Sequence, residues 1–153
     1  MEQLGTAFDY VMDAVGHRIR RCHQLSMGIF NEEVGPYGVT TVQYAALAAI
    51  AVHDDIDATR LATMVAFDRA TVGAVLERLE SKGLIEREYR FHDKRTKRLH
   101  ATAAAHALLG AADEAVHRSQ DRFLAVLDPD ERATLLHLLG TAIARHEARN
   151  ERL

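Results

Sequence analysis

The sequence predicts a mainly α-helical fold that carries one small β-hairpin. Apolar residues recur at spacings of three and four along most of the 153 residues, as they do in helices that bury one face. Only two prolines and nine glycines are present, so few positions interrupt those helices. The exception is the segment from Lys82 to Ala101, in which charged residues separate two short apolar runs, Leu84-Ile85 and Leu99 to Ala101. Those runs predict two paired strands joined by a charged loop.

Length and composition predict one domain. A chain of 153 residues is long enough for a sizeable core and too short for two comfortable domains. No apolar run approaches the roughly 20 residues that span a bilayer, and the N-terminus lacks the basic and apolar blocks of a secretory signal. The single cysteine excludes an intramolecular disulfide framework. We therefore expect one cytoplasmic domain over residues 1–153, with no membrane partner.

A long amphipathic helix is predicted from Leu4 to Phe30. Its apolar residues fall within one broad face at 100° per residue. That face includes Phe8, Val11, Met12, Val15, Ile19, Cys22 and Ile29. A terminal helix with so much apolar surface needs a partner, which is either the remainder of its own domain or a second subunit.

The next segment predicts a loop and then a capped helix. Residues 31–39 contain two glycines and a proline, which favour a loop. Thr40 and Gln43 have the spacing of a capping box, so a helix is expected to begin there and to end near Val52. Asp57 is expected to cap the short helix that follows.

Two short helices occupy the centre of the sequence. The apolar stripe of the first is Ala58, Leu61, Ala62 and Val65. Asp68 has the short acceptor side chain of an N-cap, and the stripe of the second helix is Val72, Val75, Leu76 and Leu79. Lys82 and Gly83 are expected to end it. Helix, turn, helix and hairpin is the winged helix-turn-helix arrangement, whose second helix enters the DNA major groove.

Two further helices are predicted after the hairpin. The first runs from Ala103 to about Val126, and the second begins at Pro129, because Asp128 is a good N-cap and proline is favoured at the first helical position. The apolar face of the last helix contains Leu135, Leu136, Leu138, Leu139, Ala142 and Ile143. Beyond it, residues 145–153 are mostly charged.

The hairpin segment is basic although the chain is acidic. Between Lys82 and Arg98 there are seven basic and three acidic residues, a net charge of +4, whereas the whole chain has a net charge of −3. A charged hairpin by itself is most simply a solvated surface. Next to a helix-turn-helix pattern, however, a local basic cluster indicates a phosphate-binding surface.

The central sequence resembles the MarR family of bacterial winged-helix transcriptional regulators. The resemblance rests on DRATVGAVLERLESKGLIERE and on DKRTKRLHAT. The family positions are occupied by Asp68, Ala70, Thr71, Leu79, Glu80, Gly83, Leu84, Ile85, Arg87, Asp93 and Arg95. The chain departs from the family at the tip of the wing, which lacks the glycine that many members carry, and at Ala103 to Ala105, which replace an acidic residue and a glycine.

The resemblance implies how the chain is divided. It implies a DNA-binding lobe over about residues 40–102, flanked by dimerisation helices over about 4–30 and 104–149. The partners implied are a second copy of the chain and a double-stranded, pseudo-palindromic operator, with two recognition helices in successive major grooves.

Six residues lie off the core stripe of the second central helix and are expected to face DNA. They are Arg69, Thr71, Gly73, Ala74, Glu77 and Arg78. Arg69, near the helix start, is the strongest candidate for guanine recognition, and Gly73 would allow close backbone approach.

The wing is expected to contact DNA as well. The resemblance implies that Arg95 enters the minor groove and that Asp93 positions it. Lys94, Lys97 and Arg98 are expected to hold phosphates, which makes affinity dependent on salt.

Basic and polar residues border the apolar face of the first helix, namely Arg18, Cys22, His23 and Ser26. One interpretation is that the arginine reaches solvent and the histidine is an ordinary boundary residue. The other is a cationic rim on an apolar slot that binds an organic carboxylate through Arg18 and His23. Resemblance to family members that bind aromatic acids adds Tyr37 and Tyr44 as candidate walls for a ring.

Cys22 supports a competing hypothesis. Arg20, Arg21 and His23 flank it and favour a reactive thiolate, and some MarR relatives sense peroxides through a cysteine in the first helix. Cysteine inside an apolar stripe is also commonly a small buried hydrophobe.

No catalytic or metal motif is found in the sequence. The nine histidines include no H-E-x-x-H and no paired Cys/His spacing, so a metal site would have to form across helices. A nucleophile elbow and a phosphate-binding glycine loop are also missing, so we expect neither an enzyme nor a cofactor. The function expected is a repressor that releases its operator when a small aromatic carboxylic acid binds. The alternatives are a redox-responsive regulator and a helical interaction module without DNA affinity.

Overall fold

The computed structural model describes the backbone of residues 2–53, 55–90 and 93–150, and the side chains of residues 8–53, 55–88 and 97–149. Within these residues the helices are α1 (Glu2–Asp13), α2 (Val15–Val34), α3 (Thr41–Val52), α4 (Ala58–Met64), α5 (Arg69–Ser81), α6 (Ala103–Leu124) and α7 (Pro129–Asn150), with a 3-10 turn at Gly35–Tyr37. The strands are β1 (Ile56–Asp57), β2 (Ile85–Arg90) and β3 (Asp93–Ala101). The predicted fold class, mainly α with a small β wing, is confirmed.

The first long helix is two helices, so the prediction of a single helix over 4–30 was wrong. Ala14 adopts an extended conformation with φ −59° and ψ 137°, which ends α1 and redirects the chain into α2. The apolar periodicity continues across this residue, and periodicity alone therefore does not reveal the break. The loop expected over 31–39 was also too long, because α2 continues to Val34, a residue with no exposed surface.

Side-chain caps begin the central helices where the sequence predicts them. Thr40 and Gln43 form the reciprocal capping box of α3. The backbone amide of Arg60 donates to Oδ1 of Asp57 at 2.8 Å, and the amide of Thr71 donates to Oδ1 of Asp68 at 2.9 Å. Each cap satisfies an amide that has no partner inside its own helix.

The sheet is antiparallel, with strand order β1-β3-β2. Strand β1 was not predicted, since it is only two residues long; it pairs Ile56 with Leu99, and both side chains are buried. Strands β2 and β3 extend well beyond the expected apolar runs. In the longer ladder Glu88 is the register partner of Arg98, and its carboxylate lies 3.9 Å from Nε2 of His100.

The core lies among α3, α4, α5 and the base of the sheet. Its largest fully buried side chains are Val34, Leu47, Ile50, Ile56, Leu61, Leu76, Leu79, Ile85 and Leu99. Burial of each such side chain contributes about 1.5–3 kcal/mol. This core packs α5 against α4 and against the base of the β2–β3 hairpin, the wing.

The helices outside the lobe form a scaffold of α1, α2, α6 and α7. Helix α6 packs on α2 through small buried side chains at Ala112 and Ala115, which allow close approach. Helix α7 has no buried residue among those described, and it leaves Leu136 and Ile143 more than half exposed. In the described part of the chain, no helix is both long enough and apolar enough to cross a bilayer.

Candidate functional site

The exposed face of α5 carries the residues that the sequence assigned to DNA. The core stripe at Val72, Val75, Leu76 and Leu79 is buried. Outside this stripe, Arg69, Ala74, Glu77 and Arg78 are exposed, and Thr71 and Gly73 are half-buried. All six predicted residues are therefore at least partly exposed, Arg69 because it is the first residue of the helix.

The cap of α5 determines what Thr71 can do. Its hydroxyl donates to Oδ2 of Asp68 at 2.6 Å, while its amide donates to Oδ1. These hydrogen bonds, first from the Thr71 side chain and then from its backbone, lower the pKa of Asp68. Thr71 therefore fixes the start of α5, next to Arg69, and its hydroxyl proton is already used.

Gly73 is not required by the packing of the chain itself. A β-carbon added to it would meet no described atom within 4 Å. Because Gly73 has no side chain and the neighbouring Ala74 has only a methyl group, a second molecule can approach the backbone of α5 at these two residues.

The wing is described in part. The backbone of residues 93–96 belongs to β3, but the side chains of Asp93, Lys94 and Arg95 lie outside the described residues. Lys97 is exposed and lines, with Thr59 and Arg87, an open cleft of about 350 Å³ between α4 and the sheet.

Several residues of the basic cluster have partners inside the chain, and one of them is Arg87, whose Nε lies 2.8 Å from Oε2 of Glu80. The Lys82 ammonium donates to the carbonyl of Gly38 and to Oε1 of Gln43, which ties the end of α5 to the start of α3. The Arg98 guanidinium donates to the carbonyl of Asp55 and lies 3.5 Å from a carboxylate oxygen of Asp57. The positive charge that faces outward is therefore smaller than the sequence count indicates.

A second site lies in the scaffold, where α2, α6 and α7 meet. It is a largely apolar cavity of about 330 Å³. Its lining residues are Val15, Arg18, Ile19, Cys22, His23, Ser26, Phe123 and Leu139. Four of the six predicted ligand residues are thus brought together, at a volume near the lower end of the range for small-molecule sites.

The ion-pair partner of the arginine at this cavity can be exchanged for a ligand. Nη2 of Arg18 contacts Oδ1 of Asp13 at 2.9 Å, and both side chains are mostly exposed. An exposed ion pair of this kind is weak, so a ligand carboxylate can replace Asp13 at low energetic cost. His23 and Cys22 are also exposed, so Cys22 is not the buried hydrophobe of one interpretation.

The two predicted tyrosines do not line the cavity. Tyr37 lies in the 3-10 turn, packed against the core. Tyr44 packs edge-on against Phe30, with ring centroids 5.9 Å apart, and burial followed by the charge of Asp113 raises its pKa. The aromatic ring that does line the cavity is Phe123.

An ion-pair network between α2 and α6 was not predicted. Arg122 contacts Glu32 and Glu33, each at 2.7 Å, and Arg118 contacts Glu33 at 3.1 Å. The hydrogen bonds from Arg122 and Arg118 lower the pKa of Glu33. The four-residue spacing of the two arginines, which places them on one helical face, was the available signal. Among the described residues, no cluster of three or more His, Cys, Asp or Glu side chains is placed to hold a metal ion.

The chain is similar to known regulators over most of its length. Residues 39–97, which contain α3 to the middle of β3, match the model of the MarR family. The chain is 28% identical to the HTH-type transcriptional repressor NicR of Pseudomonas putida, over 93% of this chain and 89% of that protein.

Solved structures agree with this match. A probable transcriptional regulator from Pseudomonas aeruginosa superposes with a TM-score of 0.81 and 30% identity, over 86% of this chain and 98% of that one. BpsR of Bordetella bronchiseptica, solved in work on the regulation of its DNA binding by 6-hydroxynicotinic acid, superposes with a TM-score of 0.80 and 25% identity, over 86% and 94% of the two chains. With the helix-turn-helix, the wing and the family match on one chain, the protein belongs to the MarR family of DNA-binding transcriptional regulators.

Proposed function

We propose that this protein is a homodimeric repressor that releases its operator when a small aromatic carboxylic acid binds in the scaffold cavity. The observation that carries the proposal is the cavity itself. It combines a weakly paired arginine, a histidine and an apolar wall within one site next to the helix that leads to the wing. BpsR, a similar protein, has its DNA binding regulated by 6-hydroxynicotinic acid.

For DNA recognition, α5 enters the major groove with its exposed face toward the base pairs. Arg69 is placed at the start of the helix, where a guanidinium reads guanine by two hydrogen bonds. Gly73 and Ala74 let the helix backbone come close, while Glu77 and Arg78 contact base edges or phosphates. On the wing, Arg95 positioned by Asp93 reads the minor groove, and Lys94 and Lys97 hold phosphates.

The dimer joins the unpartnered scaffold helices of two chains. The exposed apolar residues of α1 and α7 that do not line the cavity include Phe8, Val11, Leu136 and Ile143. An exposed apolar surface of this extent is typical of an interface between subunits. Dimerisation then spaces the two α5 helices for a pseudo-palindromic operator.

In the cavity, Arg18 binds the carboxylate of the acid in place of Asp13, and His23 donates a hydrogen bond to the same group or to a ring substituent. Ser26 offers a hydroxyl at the rim. Phe123 and Ile19 provide the apolar wall for the ring. Tyr44 contributes indirectly, because it supports α2 through Phe30.

Release of DNA requires that the acid binds the DNA-incompetent arrangement more tightly than the competent one. Helix α6 begins directly after β3 and ends beside the cavity at Phe123, so it connects the wing to the ligand site. A ligand that separates α2 from α6 and α7 changes the spacing of the two DNA-binding lobes in the dimer.

A release assay tests this function. A labelled operator fragment from the region upstream of the gene is bound at fixed salt, and hydroxybenzoates, hydroxycinnamates, their coenzyme A thioesters and a peroxide are added. We expect release by one class of aromatic acid in the parent protein. Arg18→Ala and His23→Ala should bind DNA normally and lose the response.

The matched control for that assay is Arg20→Ala. Arg20 is an exposed arginine on the same helix that contacts His17 and does not line the cavity. A full response in Arg18→Ala and His23→Ala would show that the cavity is not the sensor site. A parent protein that binds no operator would contradict the regulator itself and favour an interaction module.

A redox-responsive regulator is the second candidate, and the exposure of Cys22 on the cavity favours it. An oxidised sulfur at this position would add a polar group where the ligand carboxylate is proposed to bind. Release by peroxide that disappears in Cys22→Ser, together with no release by any acid, would support this candidate over the first.

A further inference from the structure

Arg98 has an environment unlike that expected of a DNA-contacting residue. It lies on β3 next to the exposed Lys97, yet its side chain is only 21% exposed. Its Nη1 donates to the carbonyl oxygen of Asp55 at 2.8 Å and lies 3.5 Å from Oδ2 of Asp57, while its Nε lies 3.3 Å from Oδ1 of Asp55. The carbonyl of Asp55 therefore accepts a hydrogen bond from the guanidinium, and the carboxylates of Asp55 and Asp57 make ion-pair contacts with it; Nε itself forms no hydrogen bond within the described residues.

The turn that supplies these acceptors has an unusual backbone. Asp55 has φ +68°, in the left-handed region that only a few per cent of non-glycine residues occupy. Aspartate and asparagine tolerate this region better than other side chains. Asp55 lies in the turn directly before β1, and the hydrogen bond from Arg98 to its carbonyl holds this peptide in place.

Asp57 links the same turn to the helix-turn-helix. Its Oδ1 accepts the amide of Arg60 at the start of α4, and its Oδ2 faces Arg98. In the sheet, Asp57 is also the register partner of Arg98, next to the buried pair Ile56 and Leu99. One guanidinium thus connects the strand that forms the wing with the cap of the first DNA-binding helix.

We infer that Arg98 is a positioning residue: with Asp55 and Asp57 it forms a wing latch that sets the direction of the wing relative to α4 and α5. This inference rests on the DNA-binding function. Two carboxylates next to one guanidinium give the cluster a net negative charge, which opposes the binding of a phosphate. Arg98 therefore acts on DNA affinity through the geometry of the wing rather than through a phosphate contact.

The Asp55→Asn variant distinguishes a positioning role of Arg98 from a phosphate contact, because the two roles predict different changes in operator affinity. The substitution removes a negative charge near DNA, so it would leave affinity unchanged or raise it if Arg98 bound phosphate. Asparagine also fits the left-handed backbone, so the turn is not strained. The latch predicts weaker binding, by about two- to fivefold, because the ion-pair contact between Oδ1 of Asp55 and Nε of Arg98 loses its charge while the hydrogen bond to the Asp55 carbonyl remains.

The complete test is a double-mutant cycle with Arg98→Gln, Asp55→Asn and both together, measured by fluorescence anisotropy across a range of salt. We expect each single variant to weaken binding and the double variant to be no weaker than Arg98→Gln. The salt slope should stay at the parent value for Arg98→Gln. Lys97→Gln, one residue away, is the matched control and should reduce the slope by about 0.9.

Hydrogen exchange in the free protein gives a readout that does not need DNA. Arg98→Gln and Asp55→Asn should both speed exchange at the β1 amides of Ile56 and Asp57, and Lys97→Gln should not. Faster exchange without operator binding by the parent would contradict the proposed function and leave the latch intact. Unchanged hydrogen exchange in both variants would overturn the latch. So would a salt slope that falls by about one in Arg98→Gln together with normal operator affinity in Asp55→Asn.

Discussion

The DNA-binding lobe and the scaffold use the same apolar residue types in opposite ways. In the lobe, eight of the nine largest fully buried side chains lie between α3 and β3. In the scaffold, Val15, Leu136 and Ile143 are 75%, 58% and 57% exposed. The lobe therefore completes its core within one chain, whereas the scaffold presents apolar faces that another chain can cover.

The largest effect is expected from a substitution that leaves an empty space in the core of the lobe. Leu79→Ala removes a side chain with no exposed surface from α5. We expect the free energy of unfolding to fall by about 2–5 kcal/mol, through lost burial and the cavity left behind. Denaturant unfolding measures it, and Leu136→Ala is the control, with the same chemistry at an exposed site. Equal losses in dilute, monomeric samples would remove the distinction between the two regions.

A charge on the apolar face of α7 tests the scaffold. Ile143→Asp should shift the parent dimer to monomer, because a carboxylate is costly to bury in an interface. Analytical ultracentrifugation should show this shift, and operator affinity should fall by more than tenfold since both half-sites are no longer bound together. Val126→Asp places the same charge at an 85% exposed position between α6 and α7. A dimer that survives Ile143→Asp would exclude this face of α7 from the interface.

A smaller effect is expected from the network between α2 and α6. Glu33→Gln removes the carboxylate that both Arg118 and Arg122 contact, so the thermal midpoint should fall. The matched control is Glu114→Gln, because Glu114 contacts Arg118 at 3.7 Å and is almost fully exposed. The control should change the midpoint little. If both variants behave alike, the network does not hold the two helices together.

The smallest effect is the dependence of stability on pH. In the folded state the pKa values of Asp68 and Glu33 lie below the ordinary values of 3.8 and 4.5. Each carboxylate therefore stabilises the fold above its ordinary pKa, and this contribution disappears as the pH falls through the lowered value. The thermal midpoint should drop as the pH falls below about 5, and Asp68→Asn combined with Glu33→Gln should flatten that drop. A thermal midpoint that depends on pH in the same way in the parent and in the double variant would contradict this contribution of the two carboxylates.

Sequence reasoning predicted the lobe far better than the scaffold. Caps such as Asp68 and Thr40 are local, since a side chain and an amide three residues away decide them, and both were confirmed. The break at Ala14 has no such local signal, because the apolar stripe continues through it. The length of α2 likewise depends on Glu32 and Glu33 meeting arginines on α6, about 85 to 90 residues later in the chain.

The candidate sites follow the same pattern. Helical spacing placed Arg18, Cys22, His23 and Ser26 together on α2, and they share one cavity. Phe123 and Leu139 complete that cavity from α6 and α7, and no local pattern indicates which distant residues will meet α2. The same limit applies to Arg98. The sequence shows that this residue is basic, but it does not show that the side chain contacts Asp55 and Asp57.

The central claim is that the two regions are coupled: the lobe binds DNA and the scaffold binds the acid. Calorimetric titration of the releasing acid, with and without saturating operator, tests it most directly. Linkage requires that the operator weaken the affinity for the acid by the same factor by which the acid weakens the affinity for the operator. We predict equal factors in the parent protein and no measurable binding of the acid by Arg18→Ala. An affinity for the acid that is the same with and without operator would contradict the account.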